Sequence, residues 1–216
     1  MKKTFLLSLL TALSLSTTAR SGSEFQIRAG LGWAVYGTKS TYTLHTGIGD
    51  FESGDEGGAV TVHLPLELRY AFNKRINAGL DFKFGSYLYD PDSASGKSNR
   101  FVVAGIAGEF SFIARERFRW YGGLGFNSCG LVLEETDEAT AIKTEWTYSG
   151  GGFKVNTGVL VFLVGGFGLN LNVGLDNHNL QLREYKVNGN SQSLDYIDAD
   201  LKIAGVDGTI GLFMRF

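Results

Sequence analysis

The sequence predicts an all-β protein: an eight-stranded antiparallel up-and-down β-barrel that crosses a membrane, with short periplasmic turns and long extracellular loops. Three observations predict it. They are an export signal at the N-terminus, apolar residues at every second position of eight segments, and connections that alternate between short and long. The composition agrees, since 30 of the 216 residues are glycine and only two are proline. A net charge of −2 does not favour binding to nucleic acid.

The first 19 residues have the pattern of a cleaved signal peptide. Lys2 and Lys3 precede an apolar stretch over residues 5–15, and small residues end the segment at Ala19. We therefore expect residues 1–19 to be removed after export by the Sec route and residues 20–216 to form the barrel domain. Cys129 is the only cysteine, so neither an internal disulfide nor a cysteine metal site is expected.

The period of two is the main evidence for strands, because alternate side chains of a strand face opposite sides of the sheet. Valine, leucine and tyrosine occupy the even positions of residues 60–70, while threonine, histidine, proline, glutamate and arginine occupy the odd ones. The eight segments are 25–36, 60–70, 76–85, 102–112, 118–126, 153–161, 167–175 and 206–216. Pro65 lies within a strand that has no free edge, which predicts a bulge or a lost ladder bond.

The connections support a membrane barrel. Short ones lie at residues 73–75, 115–116 and 165–166, and long polar ones at 38–57, 90–99, 134–152 and 176–200. Asn188-Gly189 is a tight-turn signal, which predicts that the last two strands continue as a hairpin beyond the membrane.

The polar face of the strands is predicted to line the lumen. It combines small residues with charges of both signs, which suits the narrow interior of an eight-stranded barrel, and the aromatic residues near the short turns suit a bilayer interface. The alternative is a soluble barrel with the apolar set inside. We expect Arg69 to pair with Asp81, and Glu67 with Lys83, in a salt-bridge plug. The full set of predicted lumen charges is Arg28, Glu67, Arg69, Asp81, Lys83, Glu109, Lys154, Asp207 and Arg215.

The last segment carries an assembly signal. Ile210, Leu212, Met214 and Phe216 share one face, and this pattern resembles the C-terminal signal of bacterial outer-membrane proteins. Together with the eight strands, it makes the chain similar to the small OmpA/OmpX-type outer-membrane β-barrels of Gram-negative bacteria. The resemblance implies a monomer in the outer membrane, with periplasmic termini and with contacts to lipid, lipopolysaccharide, periplasmic chaperones and the barrel-assembly machinery.

Candidate chemistry is sparse. His45, His63 and His178 lack the partner serine of the lipid-modifying barrels, so no catalytic residue, cofactor or metal is expected, and the protein is expected not to be an enzyme. Acidic residues of two long links could hold divalent cations, although solvated loop tips are the simpler interpretation. These residues are Asp50, Glu52, Asp55, Glu56, Glu134, Glu135, Asp137 and Glu138. The short-turn side is instead basic, with Lys74, Arg75, Arg115, Arg117 and Arg119.

Two classes of function remain open. The first is a structural or surface-interaction protein that displays extracellular loops above a plugged polar lumen. The alternative is a narrow porin-like channel for ions or small solutes, and an enzyme that modifies lipid A is a distant third. The fold alone does not choose between them.

Overall fold

The structure is a computed structural model that describes residues 24–89, 99–137 and 139–216. The predicted signal peptide, residues 1–19, lies outside these ranges. Within them the chain forms nine antiparallel strands: β1 (Glu24–Thr46), β2 (Gly49–Ala71), β3 (Ile76–Tyr89), β4 (Arg100–Ala114), β5 (Phe118–Thr136), β6 (Lys143–Val164), β7 (Phe167–Val187), β8 (Asn190–Ser191) and β9 (Ile197–Arg215). No helix in these ranges is long and apolar enough to cross a membrane.

Eight strands close into a ring, as predicted. Each long strand pairs with the next one along the chain, and β9 closes the ring between β7 and β1. The ninth strand, β8, has two residues and pairs with the end of β7. We call the end of the barrel with the short turns the lower end and the opposite end the upper end.

The long links differ from the predicted loops, because much of their length is strand. β1 runs to Thr46 and returns as β2 from Gly49, and β7 continues to Val187 before turning at Asn188 and Gly189, whose φ angles are 50° and 80°. At the upper end the outward positions become polar, as at Lys39 of β1 and Gln181 of β7, so the period of two fades. The backbone groups still need partners there, so strand pairing continues.

The apolar side chains face outward, which excludes the soluble barrel. On β7, Phe167, Leu171 and Leu175 are exposed, whereas the alternating Asn172 and Asp176 are buried inside. The outward apolar run from Phe167 to Leu175 matches the 9–11 residues that a transmembrane strand needs. Aromatic pairs ring the lower end: Phe25–Phe216, Tyr70–Phe72, Phe110–Phe112 and Phe112–Trp120.

Pro65 interrupts one ladder without producing a bulge. It pairs in register with Lys83 of β3. On its other side, the β1–β2 pairing breaks between Ala29 and Gly32 and then resumes in the same register. Proline has no N–H to donate. Of the two predicted outcomes, a bulge or a lost ladder bond, the structure therefore shows the lost ladder bond.

The interior changes character along the barrel axis. Charged and amide side chains fill most of the lower part, where Tyr121, Leu160, Phe162 and Phe213 also pack together, and a larger apolar cluster fills the upper part. The apolar cluster consists of Ala34, Tyr36, Ala59, Tyr87, Phe101, Val103, Cys129, Leu131, Tyr148, Leu180, Leu182, Ala199, Leu201 and Ile203.

Candidate functional site

The lower cluster is a group of five charged residues inside the barrel: Arg28, Glu67, Arg69, Asp81 and Glu109. The Arg28 guanidinium donates two hydrogen bonds to Glu109, at 2.9 and 2.8 Å, and a third to Glu67 at 3.2 Å. It also lies 5.0 Å from the ring centroid of Tyr121. A guanidinium that is buried needs this many acceptors, because its desolvation is costly.

Arg69 joins the remaining carboxylates to this cluster. It pairs with Asp81, contacts Glu67 at 3.3 Å, and donates from Nε to Glu109 at 3.3 Å. Glu67, rather than Arg69, lies opposite Asp81 in the β2–β3 register, so Arg69 reaches Asp81 diagonally. The structure therefore brings together the first pair that the sequence predicts.

A second charge cluster lies above the first and consists of His63, Lys83, Asp176 and Asp207. It shows that the predicted pair of Glu67 with Lys83 is wrong. The Lys83 ammonium lies 2.5 Å from Asp176 and 3.1 Å from Asp207, while His63 Nε2 lies 3.0 Å from Asp207. Lys83 lies opposite Pro65 in the register, two residues above the level of Glu67, so it contacts β7 and β9 rather than Glu67. β3 and β7 are four strands apart in a ring of eight, so the Lys83–Asp176 pair crosses the lumen.

Two further predicted lumen charges are Lys154 and Arg215. Lys154 is buried in the lumen and lies opposite Asp176 in the β6–β7 register. Arg215 is at the lower rim, where its side chain is one-third exposed, bonds Glu24 at 3.3 Å, and lies 4.6 Å from the centroid of Phe162. Arg215 follows the polar period of β9, but that period continues to the end of the strand, where the barrel opens. Arg215 therefore lies at the lower mouth of the lumen, outside the two charge clusters.

Sequence reasoning missed several interior residues. The sequence analysis places Asp176 and His178 in the long link 176–200, although they continue the polar register that begins at Asn170 and Asn172. Tyr121 links the strands as well: its hydroxyl donates to Asn170 at 2.9 Å and accepts from Asn172 at 2.9 Å. Extending the period of two past residue 175 would have found the first two.

His178 marks the border between the charged and the apolar interior. Its ring is fully buried and lies edge-on to Tyr36 and Phe101, with centroids 6.5 and 6.2 Å away. Gly152 lies beside the ring, so close that a Cβ at this position would overlap His178. Both ring nitrogens, like Oδ1 of Asp176 and of Asp207, have no hydrogen-bond partner among the described residues.

The assembly-signal residues lie together on the outer face of β9. Ile210, Leu212, Met214 and Phe216 are each about half exposed. The Phe216 backbone exchanges hydrogen bonds with Phe25 at 3.3 and 2.8 Å. This closes the barrel at its seam, while recognition of the segment during assembly stays a prediction.

Several acidic residues at the upper end bond histidine, lysine or arginine side chains of the same chain. His45 bonds Asp50 at 2.9 Å and Asp198 at 3.0 Å, and the hydrogen bond with Asp198, followed by that with Asp50, raises the pKa of His45 above its usual value. Glu134 bonds Lys143 at 2.8 Å and Arg100 at 3.3 Å, and these cations, Lys143 first, lower the pKa of Glu134. Cation binding by these loops stays an untested alternative.

Similarity to known proteins is visible at the level of structure. No family model and no curated protein matches the sequence. The outer membrane protein OprG from Pseudomonas aeruginosa matches with a TM-score of 0.62 at 16% identity, over 90% of this chain and 96% of OprG. Ail, the attachment invasion locus protein of Yersinia pestis, matches with a TM-score of 0.43 at 14% identity, over 90% of this chain and 99% of Ail. At these identities the likeness shows the fold.

A third match corrects one expectation. The outer membrane protease OmpT from Escherichia coli matches at 13% identity with a TM-score of 0.46, over 93% of this chain and 100% of OmpT. Small barrels thus include a protease, so the expectation that this chain is not an enzyme is wrong as a conclusion from its architecture. The chain therefore shares the fold of small outer-membrane β-barrel proteins such as OprG, which is the fold that the sequence predicts.

Proposed function

We propose that this protein is a closed barrel that acts at the cell surface through its upper hairpins. In this proposal the signal peptide directs Sec export, the barrel spans the outer membrane as a monomer, and the short turns and both termini face the periplasm. The observation that carries it is the filled lumen. Two charge clusters occupy the lower part and the apolar cluster occupies the upper part.

The ion pairs support a lumen that stays closed. Lys83 and Asp176 come from opposite walls and meet at 2.5 Å, and Arg28 of β1 holds Glu109 of β4 through two hydrogen bonds. Separating such a pair in a poorly hydrated interior leaves two unpaired charges, which is strongly unfavourable.

The hairpins offer a surface for a partner. β1 continues for eleven residues beyond Val35, its last strongly exposed apolar residue before the polar outer positions begin at Gly37. At about 3.4 Å per residue, this is roughly 35 Å of additional strand. A scaffold that extends paired strands beyond the apolar belt supports recognition at the surface, as loops on rigid frames commonly do.

Conductance in planar bilayers tests the closed state. We expect no stable current steps from the unmodified protein at either polarity. The second candidate, a narrow channel, is favoured by the unpaired polar atoms of Asp176, His178 and Asp207 in the lumen, because such atoms can hold water. Large, stable steps would replace the closed barrel with this channel.

Epitope tags test the orientation. A tag inserted at Ser53, near the tip of the β1–β2 hairpin, or at Asn188 of the β7–β8 turn should label intact cells. A tag at Lys74, in the lower β2–β3 turn, is the control and should label only cells whose outer membrane is permeabilised. The reverse pattern would invert the proposed topology.

A further inference from the structure

The outer face of the barrel has a groove between β3 and β6 that rises from the lower turns. Its walls are Ile76, Phe110, Phe112, Leu124 and Val155, and it is an open groove with a volume of about 730 Å³. A second depression of about 530 Å³ shares Gly108 and Leu124 with it and continues upward to Leu80 and Phe126.

Small residues form the groove floor. In the strand register, Ala78, Gly108, Leu124 and Val155 form one row across the sheet, and Ile76, Phe110, Gly122 and Thr157 form the row below. Gly108 keeps the floor low, and a Cβ built there would lie in ordinary contact, 3.9 Å from the Asn77 carbonyl oxygen. Backbone strain therefore does not require glycine at this position, and a side chain there would simply fill the groove.

Phe110 and Phe112 of β4, with Trp120 of β5 packed against Phe112, form an aromatic wall along one side of the groove. Phe112 lies 5.6 Å from Phe110 and 5.4 Å from Trp120 between ring centroids. Trp120 donates from Nε1 to Thr157 at 2.9 Å, so its polar atom is satisfied on an apolar surface. From Ile76 to Leu80 the groove runs roughly 14 Å along the strand at about 3.4 Å per residue. With strands tilted by about 40°, this is about a third of the thickness of a hydrocarbon core of about 30 Å.

Four exposed cations stand at the lower end of this groove. Lys74 and Arg75 form one turn, and Arg115 and Arg117 form the next one along the chain. The backbone N–H of Ser111 donates to the Arg75 carbonyl at 2.7 Å, which holds the two turns side by side. No carboxylate pairs with these four side chains in the described part of the chain, whereas Arg119 and Arg215 of the same rim pair with Glu24.

We propose that the groove and the four cations form a binding site for an anionic phospholipid. One acyl chain lies on the glycine floor against the aromatic wall, and the headgroup phosphate lies between the two basic turns. Charge complementarity selects this occupant, because Glu116 is the only carboxylate among the exposed residues of these two turns. The site gives a role to the basic asymmetry of the sequence. It rests on the proposed topology only in placing the lipid in the periplasmic leaflet.

Quenching of tryptophan fluorescence by lipids with brominated acyl chains tests this site. Trp120 contacts Phe112 of the groove wall, while Trp33 faces lipid on β1, four strands away in the ring. One variant keeps Trp120 (Trp33→Phe with Trp146→Phe) and the other keeps Trp33 (Trp120→Phe with Trp146→Phe). Both are refolded into phosphatidylcholine vesicles that contain brominated phosphatidylglycerol or, separately, brominated phosphatidylcholine.

We expect brominated phosphatidylglycerol to associate at Trp120 about five-fold or more strongly than at Trp33, since one basic residue near a membrane contributes about this factor. Brominated phosphatidylcholine should show no such preference. Changing Lys74, Arg75, Arg115 and Arg117 to Gln should abolish the preference, and Gly108→Leu should reduce it by occupying the groove. Arg183→Gln with Lys202→Gln, which removes exposed charges of the upper end, is the matched control and should preserve it.

Three results would overturn the proposal. They are equal association of phosphatidylglycerol at the two tryptophans, a preference that survives removal of the four cations, and a preference at Trp120 for lipid A over phosphatidylglycerol in vesicles containing both. The vesicle measurement does not depend on orientation in cells. A failure here therefore leaves the closed barrel and the epitope result standing.

Discussion

The lower and upper parts of the lumen fill the same barrel by different means. In the lower part, five charged side chains from β1 to β4 bind one another, and Glu109 alone receives hydrogen bonds from both Arg28 and Arg69. In the upper part, aromatic and aliphatic side chains such as Phe101 and Leu131 pack without charges. Ion pairs demand specific partners, whereas apolar packing demands mainly volume. The two parts should therefore respond differently to substitution.

The largest effect is expected from removing the shared carboxylate. Glu109→Gln keeps the shape of the side chain but removes the negative charge that two buried guanidinium groups share, and breaking a buried pair costs roughly 3–5 kcal/mol. Urea unfolding of the refolded protein measures this loss. Glu56→Gln is the control, because its pair with Lys39 is exposed and such pairs contribute at most about 1 kcal/mol. Equal losses for the two variants would contradict the comparison.

A conservative substitution in each part of the lumen should show that ion pairs tolerate change less well than apolar packing does. Arg28→Lys retains the charge but cannot reproduce the forked contacts with Glu109 and Gln26. It should cost about 1.5–3 kcal/mol, the range for a hydrogen bond to a charged group. Leu131→Met conserves volume in the apolar cluster and should cost less than about 1.5 kcal/mol. A larger loss from Leu131→Met would show that the upper part is the more specific one.

The coupling free energy between Arg69 and Asp81 is expected to be smaller, and it tests a single ion pair of the lower cluster. The two side chains form an ion pair, so the double variant Arg69→Ala with Asp81→Ala should cost less than the sum of the single variants. Neighbouring residues typically show a difference of about 0.5–3 kcal/mol. Strictly additive losses of unfolding free energy would mean that the pair does not interact.

The smallest effect is expected outside the lumen, at the exposed His45. Asp198 and Asp50 raise its pKa in the folded hairpin. The stabilisation is therefore fully present below the unfolded pKa of about 6.5 and is lost as the pH rises through the higher folded value. Hydrogen exchange of the β1–β2 tip should accelerate above that pH, beyond the intrinsic rate. His45→Gln should remove this excess, and an unchanged pH profile in the variant would contradict the role of His45.

Much of the architecture is predictable because strand signals are local. The alternation on residues 60–70 and 206–216 identifies both the strands and their outward faces, and the structure confirms both. The hairpin at Asn188-Gly189 follows from two residues that tolerate positive φ. The signal fails at Asp176 and His178, where the apolar partners end although the strand continues.

The sequence by itself determined which side chains face the lumen and which face lipid, because that choice depends on a period of two within one strand. Only the tertiary structure decided which charges meet. The partners of Lys83 come from β7 and β9, more than 90 residues away along the chain. Their height in the lumen depends on the stagger of every strand between them. A stagger of two residues preserves each inward face, yet it moves Lys83 from the level of Glu67 to that of Asp176 and Asp207.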